Sequence, residues 1–411
     1  MRVYLGIDWS ERKHAAVFMN EAGVEQMRLI FDHSADGFAK LDQARQKLGV
    51  AAEDCWVALE TAHNLIIDFL WARGYGHVFV TPPHLIDANR GRLTSSGAHD
   101  DPRDAWLICD TLRTDQARLR PWQPEGLLLR QMRALVSELI FLTHQNVRLA
   151  NRLRSLLLRY YPAALEVFKS PVVPIRLHFI IAYPTPQAAA ALSQADFVAF
   201  CRSHGYTRLS LLGGCYARLT AQQPEAAPET VACYQHEAVL LAQLLLATIT
   251  AKQQALARLQ PIFHRHPDAP LFASLPGAAD FLAPALLAKF GEDRQRFPDA
   301  AGLQALAGTC PVTEASGKVR HVHLRYACDR EFRYIVTTWA RASLRVSPFA
   351  QAYVQRVRPT CASESQVYRC LANRWLAVAW KLWQSRKPYD ETYHLQQRAL
   401  RSQPKPTAQP K

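Results

Sequence analysis

Short bursts of alternating apolar and polar residues open the chain, and they predict strands. Val3, Leu5 and Ile7 alternate with Tyr4 and Gly6, the period-two pattern of a strand with one buried face. Residues 15–19 and 24–31 form two further strand-like runs. The connections, Glu11-Arg12-Lys13 and Asn20-Glu21-Ala22-Gly23, are short and polar, so an antiparallel meander is expected. The period then changes. A helix is predicted near 36–48, a buried strand over 55–60, a helix over about 64–73 and a strand over 77–81. Three strands followed by alternating helices and strands predict a mixed α/β sheet with crossovers.

Further on, Asp101-Pro102 marks a helix start, with Asp at the cap and Pro in the first turn. From Leu128 the apolar residues Met132, Leu135, Leu139, Leu142, Leu149, Leu153, Leu156 and Tyr160 recur at steps of three and four, with Asn146 as one polar position. That is a heptad seam, and it predicts a coiled coil between subunits or an amphipathic helix packed on its own domain. Residues 163–230 read as an irregular insertion, rich in Pro and Ala. Residues 231–262 are helical again, with Leu245, Ile249, Leu256 and Leu259 on one side, and can return antiparallel to complete a stalk. Leu275-Pro276-Gly277, between two apolar stretches, resembles a helix–hairpin–helix turn, where helix-start amides hold a phosphate. The expected division is 1–125, 126–265, 266–395 (mainly α) and a disordered tail over 396–411.

Bulk composition narrows the function. The chain has 411 residues, 49% of them hydrophobic, enough for more than one core. No apolar run reads as long enough to cross a membrane, and the chain reads as cytoplasmic. Nine scattered cysteines without zinc or redox spacing fit reduced, structural thiols. A net charge of +14 favours a polyanionic partner, with nucleic acid ahead of membrane. Lys318, Arg320, Arg325, Arg330 and Arg333 lie among Tyr326, Phe332 and Tyr334, a mixture that suits a nucleic-acid surface or an ordinary solvated face.

The candidate chemistry is carried by carboxylates. Asp8 ends the first strand, Glu60 ends the strand over 55–60, and Asp101 and Asp104 share one side of a helix start. A turn aspartate and a helix cap would account for Asp8 and Asp101 separately. Together, the four match a two-metal phosphoryl-transfer site, whose paired cations roughly 3.5–4 Å apart stabilise attacking and leaving oxygens. Hard oxygen ligands favour Mg²⁺.

Gly6-Ile7-Asp8, Glu60 after its apolar strand, and Asp101-x-x-Asp104-Ala105 resemble the DEDD set of an RNase H/RuvC-like domain. Leu275-Pro276-Gly277 and residues 308–318, with Ser316-Gly317, resemble the C-terminal domain of the transposases of the IS110 insertion-sequence family. The resemblance implies a transposase guided by a structured noncoding bridge RNA that pairs with donor and target DNA. It implies Mg²⁺ on Asp8, Glu60, Asp101 and Asp104, attack of Ser316 on a DNA phosphate with a covalent phosphoserine link, and dimers or tetramers. This chain departs from the family pattern in having His99 and Asp100 before the aspartate pair and Gly308-Thr309-Cys310-Pro311 before the serine. Other readings are a RuvC-type junction nuclease cutting by water attack, a non-catalytic nucleic-acid-binding protein, and an actin-like ATPase. The last needs a second Gly-rich phosphate loop, which the sequence lacks.

Overall fold

A computed structural model describes residues 2–61, 65–90, 101–168, 173–222, 224–317 and 319–402. The chain divides into two compact units, Met1–Pro124 and Glu125–Lys411. The protein is mixed α/β, with a six-stranded sheet in the first unit and a mostly helical second unit.

In the first unit β1 (Val3–Asp8), β2 (Lys13–Met19) and β3 (Glu25–Asp32) form the expected antiparallel meander. After α1 (Ala35–Lys47), β4 (Cys55–Leu59) joins the other edge of β1 in parallel. After α2 (Leu65–Ala72), β5 (His77–Val80) adds in parallel to β4. Then come α3 (Pro83–Asn89) and α4 (Asp101–Asp115), and a two-residue β6 (Pro121–Trp122) closes the order β3-β2-β1-β4-β5-β6. Neither α3 nor β6 was expected. Leu5 and Ile7 pack on Phe38 and Leu41 of α1 and on Ile66 and Leu70 of α2. The expectation of one buried face for β1 is corrected: Tyr4 is also buried, in a second core with Val17, Ala58, Phe79 and the α4 residues Ala105, Ile108 and Leu112. A strand flanked by helices on both sides has no solvent face, whatever its alternation suggests.

The second unit is strung on α5 (Leu127–Tyr160). Short helices α6 (Ala163–Glu166), α7 (Pro174–Ala182), α8 (Pro186–Ala190), α9 (Gln194–Ser203) and α10 (Leu212–Leu219) follow, and then α11 (Pro228–His264). The described residues of 163–230 are therefore largely helical. Pro174, Pro186 and Pro228 open helices rather than break them, sitting in first turns, and Thr185 and Ser193 cap α8 and α9. Phe168, Phe179 and Phe197 fill a core between these helices and Leu153, Leu156 and Tyr160 of α5.

Helices α5 and α11 run antiparallel. Glu138 meets Arg258 at 3.1 Å, Asn146 meets Thr248, and Arg152 meets Glu237 at 2.7 Å, so one number rises as the other falls. The rest of the unit is α12 (Ala269–Ala273), α13 (Leu282–Phe290), α14 (Ala300–Leu306), the hairpin β7 (Val312–Ser316) and β8 (Val319–His323), α15 (Arg330–Ser343), α16 (Pro348–Val357), α17 (Glu364–Ser385) and α18 (Glu391–Ser402). Trp339, Trp375, Trp383, Phe290 and Phe332 form its large core, and Met132, Leu135 and Leu139 of α5 belong to that core.

The heptad seam is thus covered by the chain's own residues, the N-terminal half by one core and the C-terminal half by another. The seam as a contact between subunits is corrected accordingly. The Pro276-Gly277 turn is also used internally. Gly277 has φ +74°, and a Cβ there would lie 2.7 Å from the backbone of Ala342 and Ser343, while the Pro276 carbonyl accepts from Trp339 Nε1 at 3.0 Å. Its backbone faces α15, which explains the glycine without a phosphate. Two further expectations change. Helix α18 runs through 396–402, so the disordered tail cannot begin at 396, and residues 403–411 lie outside the described residues. Helix α11 is long and apolar enough, by length and composition, to cross a membrane. Here it buries Leu241, Leu245, Leu259 and Phe263 in the two cores.

Leu139→Ala should destabilise the chain by about 2–5 kcal/mol, the range for a buried leucine truncation. The midpoint of urea unfolding should fall, and the fall should be the same at low and high protein concentration. A loss that disappears at high concentration would return the seam to a subunit interface.

Candidate active site

The geometry of the site begins at Gly6. Tyr4, Gly6 and Asp8 share the face of β1 that α4 covers. A Cβ at position 6 would overlap the Ala105 carbonyl oxygen and the Cys109 amide, and would lie 2.7 Å from Cys109 Cβ. Only glycine lets the α4 backbone rest directly on the strand. The Cys109 thiol donates to the Tyr4 carbonyl at 3.3 Å and ties the same contact. With α4 held there, its first turn, carrying Asp101 and Asp104, comes to the end of β1. On the other side, the parallel register pairs Ile7 with Leu59. Asp8 and Glu60 are each the next residue, so they leave adjacent strands at the same level.

The structure therefore brings Asp8, Glu60, Asp101 and Asp104 together, and the electrostatics register it. The Asp8 carboxyl is pushed up from 3.8 to about 7, first by burial, then by the charges of Asp104, Asp101 and Glu60, with Arg90 opposing. Arg90 was not legible as a site residue. It follows α3 and bridges Asp104 (Nη1 to Oδ1, 2.7 Å) and Asp87 (Nε to Oδ1, 2.9 Å). Nothing in a lone arginine fourteen positions upstream marks it as the partner of a helix-start aspartate. His99 and Asp100 lie outside the described residues. Among the described residues no three Asp, Glu, His or Cys side chains already stand close enough to grip an ion.

Just beyond Asp8 the β1–β2 turn is pinned from behind. The Ser10 amide donates to His14 Nδ1 at 3.3 Å, and His14 Nε2 meets His33 Nδ1 at 2.9 Å. His14 is fully buried, and burial, followed by the neighbouring His33, lowers its pKa to about 4. It is a neutral structural imidazole, with Trp9 stacked on its ring.

Ser316 lies in the second unit, at the exposed end of β7, paired with Val319 across a turn in which Gly317 takes φ +57°. The expected basic surface around it is only partly one. Arg320 and Arg330 are exposed and Tyr326 is 74% exposed. Arg325 is half-buried, and Lys318 lies outside the described residues. Arg333 points inward instead: its guanidinium donates to the Arg325 carbonyl and to Cys328 Sγ at 2.6 Å, against Gly308. Phe332 is core, and Tyr334 packs edge-on to His144. Helix α15 explains both corrections, because residues three and four apart turn one face to the core.

Two outcomes follow for the acidic site. Gly6→Ala should displace α4, lower stability by about 1–3 kcal/mol and lose the alignment of Asp101 and Asp104 with Asp8; thermal melting and a DNA recombination assay read the two effects. A raised Asp8 pKa means the folded state binds the proton more tightly, so stability present below about pH 4 is lost as pH rises through about 7. In EDTA, Asp8→Asn should therefore melt above the wild type at about pH 8 and show less of that decline. Equal melting curves would mean that the Asp8 charge costs the folded state nothing.

Comparison with known proteins identifies the family. The family model of DEDD transposases of the IS110 type, described as "Transposase", matches residues 5–162. One described as "Transposase IS116/IS110/IS902 family" matches residues 269–355. The "Mini-circle putative transposase for IS117" of Streptomyces coelicolor is 30% identical over 401 residues, covering 95% of this chain and 96% of the relative. The "Insertion element IS900 uncharacterized 42 kDa protein" of Mycobacterium paratuberculosis is 26% identical over 391 residues, 92% of this chain and 95% of the relative. The "Insertion element IS110 uncharacterized 43.6 kDa protein" of Streptomyces coelicolor is 24% identical over 379 residues, 92% of each. With its acidic strand ends in the first matched region and Ser316 in the second, this chain belongs to the IS110 family of DNA transposases.

Proposed function

We propose that this transposase cuts and rejoins DNA through an acidic metal site and a serine nucleophile, guided by a bridge RNA that pairs with donor and target DNA. The observation that carries the proposal is the gathering of four carboxylates at the ends of β1 and β4 and the start of α4, where burial and then the neighbouring carboxylates lift Asp8 to about 7. The strand order, a meander followed by parallel β4 and β5, supports an RNase H/RuvC-like domain over 1–125. All four donors are carboxylate oxygens, the set that hard divalent cations prefer. Asp8, Glu60, Asp101 and Asp104 would hold Mg²⁺, which supplies charge stabilisation for the attacking and leaving oxygens. Around them, Arg90 restrains Asp104 and the His14–His33 pair restrains the turn after Asp8.

The serine-bearing domain in this reading spans 266–395, joined through the long helices of 126–265. Ser316 attacks a DNA phosphate and stays bound to it, keeping the bond energy for rejoining. Arg320 on β8 and Arg330 at the start of α15, both exposed, suit contacts to the phosphate backbone. The proposed assembly into dimers or tetramers finds support in exposed apolar side chains on the paired helices, among them Phe141, Val147, Leu240 and Leu244. The proposed setting is the cytoplasm, at the nucleoid, without membrane.

Asp8→Ala should slow strand exchange by about 100-fold or more, as loss of transition-state charge stabilisation does, with RNA binding retained. Ser316→Ala should lose both recombination and a protease-sensitive protein–DNA adduct on denaturing gels. Wild-type yields of free nicked ends from Ser316→Ala would make water the nucleophile and the protein a RuvC-like nuclease. Full exchange by Asp8→Ala in Mg²⁺ would remove the metal site from the account.

A further inference from the structure

A serine hydroxyl holds its proton at neutral pH and attacks well only when a neighbouring group removes it. The hairpin that carries Ser316 offers such a group. Its register pairs Ser316 with Val319, Glu314 with His321 and Val312 with His323. Directly paired residues share a face of a sheet, as do residues two apart on a strand. Ser316, Glu314, His321 and His323 therefore stand on one face, and Thr313, Ala315, Arg320 and Val322 on the other. On the first face the diagonal neighbour of Ser316 across the strands is His321. Diagonal positions lie about 7–8 Å apart at Cα, and less at Cβ, a gap that an imidazole spans toward a hydroxyl. Every residue of β8 is exposed, so this face is open to a DNA strand.

The second histidine is otherwise engaged. His323 Nε2 lies 3.6 Å from Glu314 Oε1 and borders a cavity of about 280 Å³ with Arg369 and Cys370 of α17. His321 stands two pairs nearer the tip, with Ser316 on its diagonal, the relation of base to nucleophile that activates hydroxyls in unrelated enzymes.

Resting on the assignment of Ser316 as nucleophile, we infer that His321 is its general base. The neutral imidazole takes the Ser316 Oγ proton as the Oγ–phosphorus bond forms. The bond from phosphorus to the leaving nucleoside oxygen breaks with its electron pair on that oxygen, which solvent protonates. Rejoining reverses the step: the nucleoside hydroxyl attacks phosphorus, and Ser316 Oγ leaves with the proton from the imidazolium. Among the described residues, the titratable groups that share the face of His321 on the hairpin are Glu314 and His323. Arg320 is on the opposite face and Arg369 belongs to the cavity beside His323.

The test uses the full-length protein, RNA transcribed from the flanks of its gene, and a supercoiled plasmid carrying the gene with those flanks. The rate of protein–DNA adduct formation is followed from about pH 5.5 to 8.5. In the wild type it should rise with pH, because a general base acts only in its unprotonated form. His321→Gln should slow the adduct by about 10²–10⁴-fold, flatten that rise and leave the melting temperature unchanged. His321→Ala should regain adduct on addition of free imidazole, which a merely structural residue would not permit. Val322→Thr, on the opposite face, should behave as wild type. A His321→Gln protein with wild-type rate and pH dependence, alongside a Ser316→Ala protein without adduct, overturns the base and leaves the serine standing. Wild-type cleavage by Ser316→Ala removes the serine, and the base with it.

Discussion

The close approach of α4 to β1 at Gly6 is the constraint on which the acidic site depends. A strand residue with a Cβ at that position would overlap the helix backbone around Ala105 and Cys109. With glycine there, the helix start stands over the strand end, and carboxylates distant in sequence become neighbours. The parallel register of β1 and β4 does the same for Glu60. The consequence is a concentration of negative charge that the fold offsets only in part, through Arg90. Such an arrangement is a burden on the empty protein and an asset only if a cation is bound, because like charges at short range destabilise each other unless something positive lies between them.

Most of the sheet was legible in the sequence because its signals are local. Residues 3–8, 13–19, 25–32, 55–59 and 77–80 are strands near where the alternation and apolar runs place them. The positions of the four carboxylates were legible too: Asp8 and Glu60 stand at strand ends, and Asp101 and Asp104 in the first turn of a helix. What was not legible depends on which surface covers which. The stripe from Met132 to Tyr160 is the same pattern whether a partner or the chain's own helices bury it, and here two separate cores share it. Proline in 163–230 read as disruption, yet Pro174, Pro186 and Pro228 open helices. Phe332 and Arg333 read as a nucleic-acid surface until α15 turned them inward. The hairpin of β7 and β8 escaped notice because both strands are exposed, and without a buried face there is no alternation to read.

In the second unit two cores are joined by α5 and α11, with Asn146 paired to Thr248 between them. A polar pair at one level of an apolar interface fixes register, since sliding either helix would leave a buried amide without a partner. The hairpin stands apart from this rigid frame. A two-stranded ribbon exposed on both faces has little stability of its own, and it carries the serine at its tip. In the proposed reaction the reactive hydroxyl thus sits on an element able to follow DNA without disturbing either core.

The central claim is that Asp8, Glu60, Asp101 and Asp104 form a divalent-cation site. Melting temperature as a function of Mg²⁺ concentration tests it most directly, because a ligand at free concentration L that binds only the folded state stabilises it by RT ln(1 + L/Kd). The wild type should show a rise that grows with the logarithm of Mg²⁺ concentration above the dissociation constant, lost in Asp8→Asn and kept in Asp36→Asn, a carboxylate of α1 outside the site. A wild type that does not respond to Mg²⁺, or an Asp8→Asn protein that responds equally, would contradict it.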